Sequence, residues 1–321
     1  MMDRIGVLLI NLGTPQQPEP SAVKAFLAEF LHDQRVVDMT RWLWCPLLHG
    51  IILPFRSPKV ARLYRKIWTA EGSPLLANSI RQRDRLQEVI DMPVAVGMTY
   101  GQPSIDLALE ELESQGCTKV LVLPLYPQFS ATTTAAGIDK LAQALQRRSN
   151  LPEMRTVNHY YQQPLYVDAL AQSVRDYWEV HGESDYLLCS YHGIPQRYSD
   201  NGDPYAGHCV QTSYQLQQAL ALEDDQFGMS YQSIFGREEW LKPYTEQTLI
   251  ALARSGTKRI DVITPAFASD CLETLEEIAI QCRDTFIQHG GEQLRLIPCL
   301  NDRDDHIALL THVIHHHTKE W

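Results

Sequence analysis

Short β-rich runs alternate with amphipathic segments along nearly the whole sequence, and this alternation restricts the possible folds more than any other feature. The predicted strands cover residues 5–11, 94–98, 119–125, 154–158, 186–190, 227–231, 259–264 and 294–298. Repeated strand–helix alternation predicts parallel sheets with helices on both faces. A chain of 321 residues is too long for one ordinary core. We therefore predict an α/β protein with two doubly wound halves, each built on a four-stranded sheet.

The division between the halves is predicted near residues 150–165, around Pro152. We expect an N-terminal domain over residues 1–155, which includes an apolar segment at 42–58, and a C-terminal domain over 156–303. Residues 304–321 form a final helix without a partner in its own half. We expect this helix to pack back on the first domain.

Composition excludes several classes of protein. A net charge of −11 disfavours nucleic acid as a partner. No glycine-rich phosphate loop is present, so we expect no nucleotide. The seven cysteines are scattered and contain no CxxC, which indicates a reducing cytoplasm without disulfides or a zinc module. The first apolar run is too short for a signal peptide, and no segment has the ~20 apolar residues of a membrane span.

Two motifs follow predicted strands and carry side chains suited to chemistry. In residues 187–195, an apolar run ends at His192 and is followed at once by Gly193. This pattern places the imidazole at the carboxyl end of a strand, where open α/β sheets bind ligands. A bare strand–His–Gly pattern also fits a buried, hydrogen-bonded histidine in a turn.

The second motif, residues 265–277, has two interpretations. Asp270 and Glu273 fit a capping box at a helix start. Alternatively, Glu273 and Glu277 share one helical face because they are four residues apart, and form a path for metal ions or protons that Gln281 continues only as a neutral amide. An imidazole suits Fe²⁺ and accepts a proton near neutral pH, and a carboxylate can ligate the metal or complete a proton exchange.

Together with residues 200–205, these motifs resemble the signature of the ferrochelatases, which insert ferrous iron into a porphyrin. The resemblance covers essentially the whole chain. Further matching segments are residues 11–15, 64–67, 72–75, 97–100, 126–130 and 240–243. It implies two Rossmann-like, chelatase-like domains without a nucleotide. It also implies that His192 and Glu273 are the essential catalytic pair and the metal ligands, with Glu277 next along the path.

The same resemblance implies a set of porphyrin-contacting residues. These are Leu12, Tyr64, Ser73, Thr99, Tyr100, Ser130, Trp240 and Phe267. Some members carry arginine in place of Thr99, histidine in place of Cys271, or a third acid in place of Gln281. Animal-type members bind an iron–sulfur cluster through cysteines in a C-terminal extension. The last cysteine here is Cys299, so we expect no cofactor, and Fe²⁺ is a substrate.

Residues 42–55 are markedly apolar, and between Arg41 and Lys66 there are six cationic side chains and no acid. Periodicity alone does not separate a buried helix–turn–helix from a hydrophobic lip over a porphyrin pocket. An apolar segment flanked by cations suits an anionic membrane surface and a porphyrin with two propionates.

The resemblance favours the lip, in which residues 47, 48, 51 and 52 are expected to be partly exposed. It also favours protoporphyrin IX over coproporphyrin, because coproporphyrin users tend to have a shorter, more polar segment and a tyrosine in place of Leu12.

We therefore predict a protoporphyrin ferrochelatase that acts at the last step of haem synthesis. We expect it to be cytoplasmic, with peripheral contact to the inner face of the membrane through the lip. Two alternatives remain: a cobalt or nickel chelatase of a reduced tetrapyrrole, and a non-catalytic haem or metal carrier. Histidines 315–317 are expected to form a solvated helix end.

Overall fold

The computed structural model describes residues 4–236 and 238–321, so residues 1–3 of the predicted first domain, and residue 237, lie outside the described part. It contains two four-stranded parallel sheets. The first sheet has the order β2-β1-β3-β4 and the second has the order β6-β5-β7-β8. The strands are β1 Ile5–Thr14, β2 Val94–Gly101, β3 Lys119–Pro124, β4 Glu153–Thr156, β5 Tyr186–His192, β6 Phe227–Gln232, β7 Arg259–Ile263 and β8 Gln293–Leu296. All eight predicted strands and the α/β fold class are confirmed.

Helices fill the connections between strands. The α-helices are α1 Pro20–Leu31, α2 Arg41–Leu47, α3 Leu53–Ile67, α4 Pro74–Val89, α5 Ile105–Ser114, α6 Ala136–Leu145, α7 Pro164–His181, α8 Gln196–Asp200, α9 Tyr205–Leu220, α10 Thr245–Arg254, α11 Arg283–Gln288 and α12 Asp304–Thr318. Three further segments are π-helical: Leu48–Ile52, Ala131–Ala135 and Glu273–Cys282. In the described residues, no helix combines the length and the apolar character needed to cross a membrane.

The chain divides into two compact units. In the described part of the chain, unit 1 comprises the residues up to His159 together with Ile307–Trp321, and unit 2 comprises Tyr160–His306. Most of α12 therefore belongs to unit 1. Within that unit, Arg155 donates to the carbonyl oxygen of His317 at 2.9 Å and lies over the ring of Trp321 at 4.8 Å. His315 and His316 are exposed at this end of the helix.

The core of unit 1 lies on both faces of its sheet. Successive strand residues point to opposite faces, and residues 7–10 of β1 are all fully buried. Leu8 and Ile10 join a cluster with the apolar side of α5 and α6. Helices α1 and α4 contact β2, and α4 also contacts β1. The near-continuous apolar run of β1 is explained by its burial on two sides.

Unit 2 follows the same plan. Leu188 of β5, Ile260 and Val262 of β7 and Leu294 of β8 form one cluster with residues of α10 and α11. On the opposite face of β7, the carboxylate of Asp261 is fully buried. It accepts hydrogen bonds from the guanidinium of Arg295 at 2.7 and 2.8 Å and from the indole of Trp178 at 2.7 Å. These donors compensate for the desolvation of the carboxylate and tie β7, β8 and α7 together.

Candidate active site

His192 is the last residue of β5 and pairs in register with Gln232 of β6. Its Nδ1 lies 2.7 Å from the carbonyl oxygen of Gly193. Because a carbonyl oxygen only accepts hydrogen bonds, Nδ1 carries a proton, and in the neutral imidazole Nε2 keeps its lone pair. The imidazole is half-buried, and its centroid lies 6.5 Å from that of Phe267. Nε2 is therefore available to a metal ion or a proton.

The turn after His192 requires glycine. A Cβ atom on Gly193 would lie 2.9 Å from the carbonyl oxygen of Gln232 and 3.2 Å from the ring of Trp240. The Gly193 N–H donates to that same carbonyl at 2.8 Å. Trp240 is nearly buried, and its indole donates to the carbonyl oxygen of Phe235 at 2.8 Å. The close approach of these backbones holds His192 at the strand end.

Glu273 is the first residue of a ten-residue π-helix, Glu273–Cys282. Such segments are rare and often mark functional sites. The capping-box interpretation is wrong: the N–H of Asp270 donates to the side-chain oxygen of Asn301 at 2.8 Å, not to Glu273. The Asp270 carboxylate accepts from Thr274 at 3.0 Å and from Asn301 at 2.7 Å. Glu273 is therefore not used to cap its helix.

The carboxyl of Glu273 instead interacts with the thiol of Cys271, which is fully enclosed. Burial raises the pKa of this thiol well above its ordinary value, and the nearby Glu273 carboxylate raises it further. A thiol held in its protonated form is a poor metal ligand.

Glu277 lies one turn after Glu273. Its Oε1 accepts from the backbone N–H of Ser233 at 2.7 Å, and its Oε2 accepts from the Ser233 hydroxyl at 2.5 Å. Burial raises the pKa of the Glu277 carboxyl; the Ser233 hydroxyl and the charge of His192 lower it, and the charge of Glu273 raises it. The charges of His192 and Glu273 thus both act on the Glu277 carboxyl.

The position of Gln281 differs from the expectation that it lies on the face of Glu273 and Glu277; the prediction that the charged path ends at Glu277, with Glu276 as a lesser candidate, is unaffected. Gln281 donates to the carboxylate of Glu276, five residues earlier in the chain. A five-residue spacing fits a π-helix, in which each turn contains more residues than in an α-helix. Gln281 therefore lies beside Glu276, which is buried, and does not continue the row of Glu273 and Glu277.

Of the remaining predicted porphyrin contacts, Leu12, Thr99 and Tyr100 lie in unit 1 near the ends of β1 and β2. Leu12 of β1 is half-buried, and the Thr14 hydroxyl donates to Ser73 at 2.8 Å. Thr99 is buried near the end of β2. Tyr100 is fully buried and donates its hydroxyl to Asp33 at 2.9 Å.

Two more of these residues lie at the beginnings or ends of helices in unit 1. Tyr64 is near the end of α3, with its ring edge-to-face with Trp68 at 6.0 Å. Ser130 precedes the π-helical turn Ala131–Ala135, and its hydroxyl oxygen accepts from the backbone N–H of Thr132 at 3.2 Å. Both Tyr64 and Ser130 are buried.

Two residues that bond to Glu273 or Glu277 were not singled out from the sequence: Gln232 and Ser233. The Gln232 amide donates to the carbonyl oxygen of Glu273 at 2.7 Å and to Glu277 at 3.3 Å. A signal was available, because polar residues at the carboxyl end of a parallel strand lie at the ligand-binding edge of the sheet.

The apolar segment of unit 1 has a buried face and an exposed face. Leu48 is fully buried, and Trp44 is buried with its indole donating to the carbonyl oxygen of Leu31 at 2.7 Å. Trp42, Phe55 and Ile51 are 73%, 70% and 56% exposed. The expectation that Leu48 is partly exposed together with residues 47, 51 and 52 is therefore wrong. The segment nevertheless has an exposed apolar face.

Comparison with known proteins gives a consistent result. The model of the family described as Ferrochelatase matches residues 4–318. A ferrochelatase of Photobacterium profundum is 60% identical over 316 residues, which cover 98% of each chain. A ferrochelatase of Vibrio cholerae is 58% identical over 311 residues, which cover 97% of each chain.

Among solved structures, the fold is similar to that of the sirohydrochlorin chelatase SirB from Bacillus subtilis subspecies spizizenii in complex with cobalt. The TM-score is 0.58 at 10% sequence identity, over 99% of this chain and 97% of the other. At that identity the likeness concerns the fold alone. The family match and the sequence relatives extend over nearly the full length, and they lead to one conclusion: the chain belongs to the ferrochelatase family.

Proposed function

We propose that this protein inserts Fe²⁺ into protoporphyrin IX to form protohaem, the last step of haem biosynthesis. The support for this chemistry is the half-buried imidazole of His192 at the end of β5, together with Glu273 and Glu277, one turn apart on the π-helix that Gln232 ties to β5. Metal insertion removes two pyrrole protons and needs groups that hold ferrous iron without trapping it. One imidazole and a carboxylate meet this need, because they are fewer than the ligands of a closed metal site.

In this proposal, Nε2 of His192 accepts a pyrrole proton or contacts the arriving metal ion, and Glu273 is the second ligand. Glu277 carries metal ions or protons toward the pair. A carboxyl whose pKa is raised by burial suits proton transfer near neutral pH, because its two protonation states are closer in free energy there.

We further propose that the porphyrin contacts Leu12, Tyr64, Ser73, Thr99, Tyr100, Ser130, Trp240 and Phe267. No iron–sulfur cluster or other cofactor is part of the proposal. Six of the seven cysteines are buried, and burial raises the pKa of Cys189 to about 12. Buried, protonated thiols are poor candidates for cluster ligands.

We propose a cytoplasmic enzyme that touches the inner face of the membrane through the lip. Two features support this: the exposed Trp42 and Phe55, and the exposed cations that follow them on α3, Lys59, Arg62, Arg65 and Lys66. Aromatic residues next to cations suit the headgroup region of an anionic bilayer.

The direct test is an anaerobic assay of the purified protein with Fe²⁺ and either protoporphyrin IX or coproporphyrin III, followed by absorbance. We expect multiple turnovers to protohaem and a higher kcat/KM with protoporphyrin IX. Stoichiometric haem binding without turnover would identify a carrier. Turnover of a reduced tetrapyrrole with Co²⁺ or Ni²⁺, and none with Fe²⁺ and protoporphyrin IX, would identify the other kind of chelatase.

A further inference from the structure

Ser233 has an unusual backbone conformation immediately after β6. Its φ angle is +64°, in the left-handed region that favours glycine and is costly for most other residues. In the described part of the chain, only Ala221 and Asn301 share a positive φ among non-glycine residues. A strained serine at the end of this edge strand calls for a compensating interaction.

That interaction is made with Glu277. The backbone N–H of Ser233 donates to Oε1 at 2.7 Å, while its hydroxyl donates to Oε2 at 2.5 Å. Each carboxylate oxygen thus has its own donor from one residue. Hydrogen bonds to a charged acceptor are stronger than neutral ones, and two of them fix the plane of the carboxylate as well as its position.

The preceding residue, Gln232, bonds to the same π-helix, at the backbone of Glu273. Gln232 is almost fully buried, and its Oε1 accepts from the Ser190 hydroxyl at 2.7 Å. Its Nε2 donates to the carbonyl oxygen of Glu273 at 2.7 Å. Ser190 lies on β5, two residues before His192. The backbone that carries Glu273 is therefore tied through one amide to the strand that carries His192.

We propose that Ser233 is a positioning residue for metal insertion. Its N–H and hydroxyl hold the Glu277 carboxylate in one orientation, one turn from Glu273, and Gln232 fixes the π-helical turn that carries Glu273. The inference rests on the proposed role of Glu277. It adds that the strained conformation at Ser233 is retained for this contact and does not serve stability.

One variant can separate the contact to Glu277 from an effect on stability. Ser233→Gly removes the hydroxyl and also relieves the left-handed strain, so it is expected to raise Tm while weakening the hold on Glu277. Ala221→Gly is the matched control, since Ala221 has φ +54° at the exposed end of α9. It relieves strain without touching a carboxylate.

We expect Ser233→Gly to lower kcat/KM for Fe²⁺ by about tenfold, the lower end of what a hydrogen bond to a charged group contributes. KM for porphyrin should stay unchanged, and Ala221→Gly should raise Tm with wild-type kinetics. In a Glu277→Ala background, the Ser233→Gly effect should disappear, because the two residues act through one contact. If Ser233→Gly lowers Tm, Ser233→Ala, which keeps the Cβ, should show the same kinetic loss.

Two results would overturn the inference in distinguishable ways. Wild-type kcat/KM for Fe²⁺ in Ser233→Gly, together with a slow Glu277→Ala, would reject the positioning role and leave the role of Glu277 standing. Wild-type kinetics in Glu277→Ala would reject both roles at once. Equal losses from Ser233→Gly in the wild-type and Glu277→Ala backgrounds would also reject it, because the effect would not pass through Glu277.

Discussion

The ring of His192 is oriented by Gly193, whose carbonyl oxygen lies 2.7 Å from Nδ1. The acceptor is the adjacent backbone and not a carboxylate. The tautomer of His192 is consequently set by the turn itself, which Gly193 maintains through its own bond to Gln232. Substitution of Glu273 or Glu277 should leave this orientation intact, so that the three side chains can be tested separately.

The first prediction concerns His192. His192→Ala should lower turnover by at least about 10²-fold, the contribution of a positioned acid–base group. It should fold normally, because the imidazole is half-buried and bonds only to its neighbour's carbonyl. His289→Ala is the matched control: its Nδ1 bonds in the same way to the Thr285 carbonyl, in the same unit. Near-normal turnover of His192→Ala in the absorbance assay would contradict the assignment.

The second prediction concerns Glu273. Glu273→Gln keeps the shape of the side chain and removes its charge. Because Asp270 bonds to Asn301 and not to Glu273, we expect a change in unfolding free energy below about 1 kcal/mol, with a large loss of turnover. Denaturant unfolding and initial rates on one preparation measure both. Retained turnover with lowered stability would restore a purely structural role.

Several features of this site could be predicted from local sequence, and others could not. The strand ending at His192 was predictable because its apolar run and the glycine after it are local signals. The capping box failed because the true partner of Asp270, Asn301, lies 31 residues away in the chain. The π-helical spacing that pairs Gln281 with Glu276 is a tertiary outcome, since side-chain patterns specify periods near 3.6. Burial of Leu48 beside the exposed Leu47 likewise depends on which helix face meets α1.

The third prediction compares Glu277 with Gln281. Glu277→Ala should reduce kcat/KM for Fe²⁺ several-fold while the affinity for porphyrin stays nearly unchanged. Gln281→Ala should leave the rate near wild type, because the Gln281 amide contacts Glu276 and not Glu277. Initial rates against Fe²⁺ concentration, with fluorescence titration of porphyrin, separate the two. A slower Gln281→Ala would mean that Glu276 belongs to the path.

The fourth prediction concerns the lip. The double variant Trp42→Ser/Phe55→Ser should weaken sedimentation with anionic liposomes and raise KM for protoporphyrin IX, with little change in Tm, since both side chains are mostly exposed. Val180→Ser is the control, because Val180 is 76% exposed on α7 in the other unit. Equal liposome binding by all three proteins would argue against a membrane contact at the lip.

The last prediction concerns stability against pH and rests on His306, which is buried and whose Nδ1 lies 2.6 Å from the carbonyl oxygen of Asn301. Burial lowers the pKa of His306 below its ordinary value of 6.5, although the Asn301 carbonyl and the acids Asp305 and Asp302 partly offset this. The unfolded chain therefore binds a proton at a pH where the native state does not. Above pH 6.5, the burial of neutral His306 therefore causes no loss of stability. As the pH falls below 6.5, the native state loses stability relative to the unfolded chain, by at most about 1.4 kcal/mol per pH unit.

His306→Asn removes the titrating group and should flatten this dependence, although it is expected to lower stability at pH 7.5. The control is His312→Asn, on the exposed face of the same helix, which should keep the wild-type slope. Urea unfolding at several pH values between 7.5 and 5.5 gives the slope for each protein. A His306→Asn slope equal to that of the wild type would show that His306 binds its proton equally in the native and unfolded states, contrary to the effect of its burial.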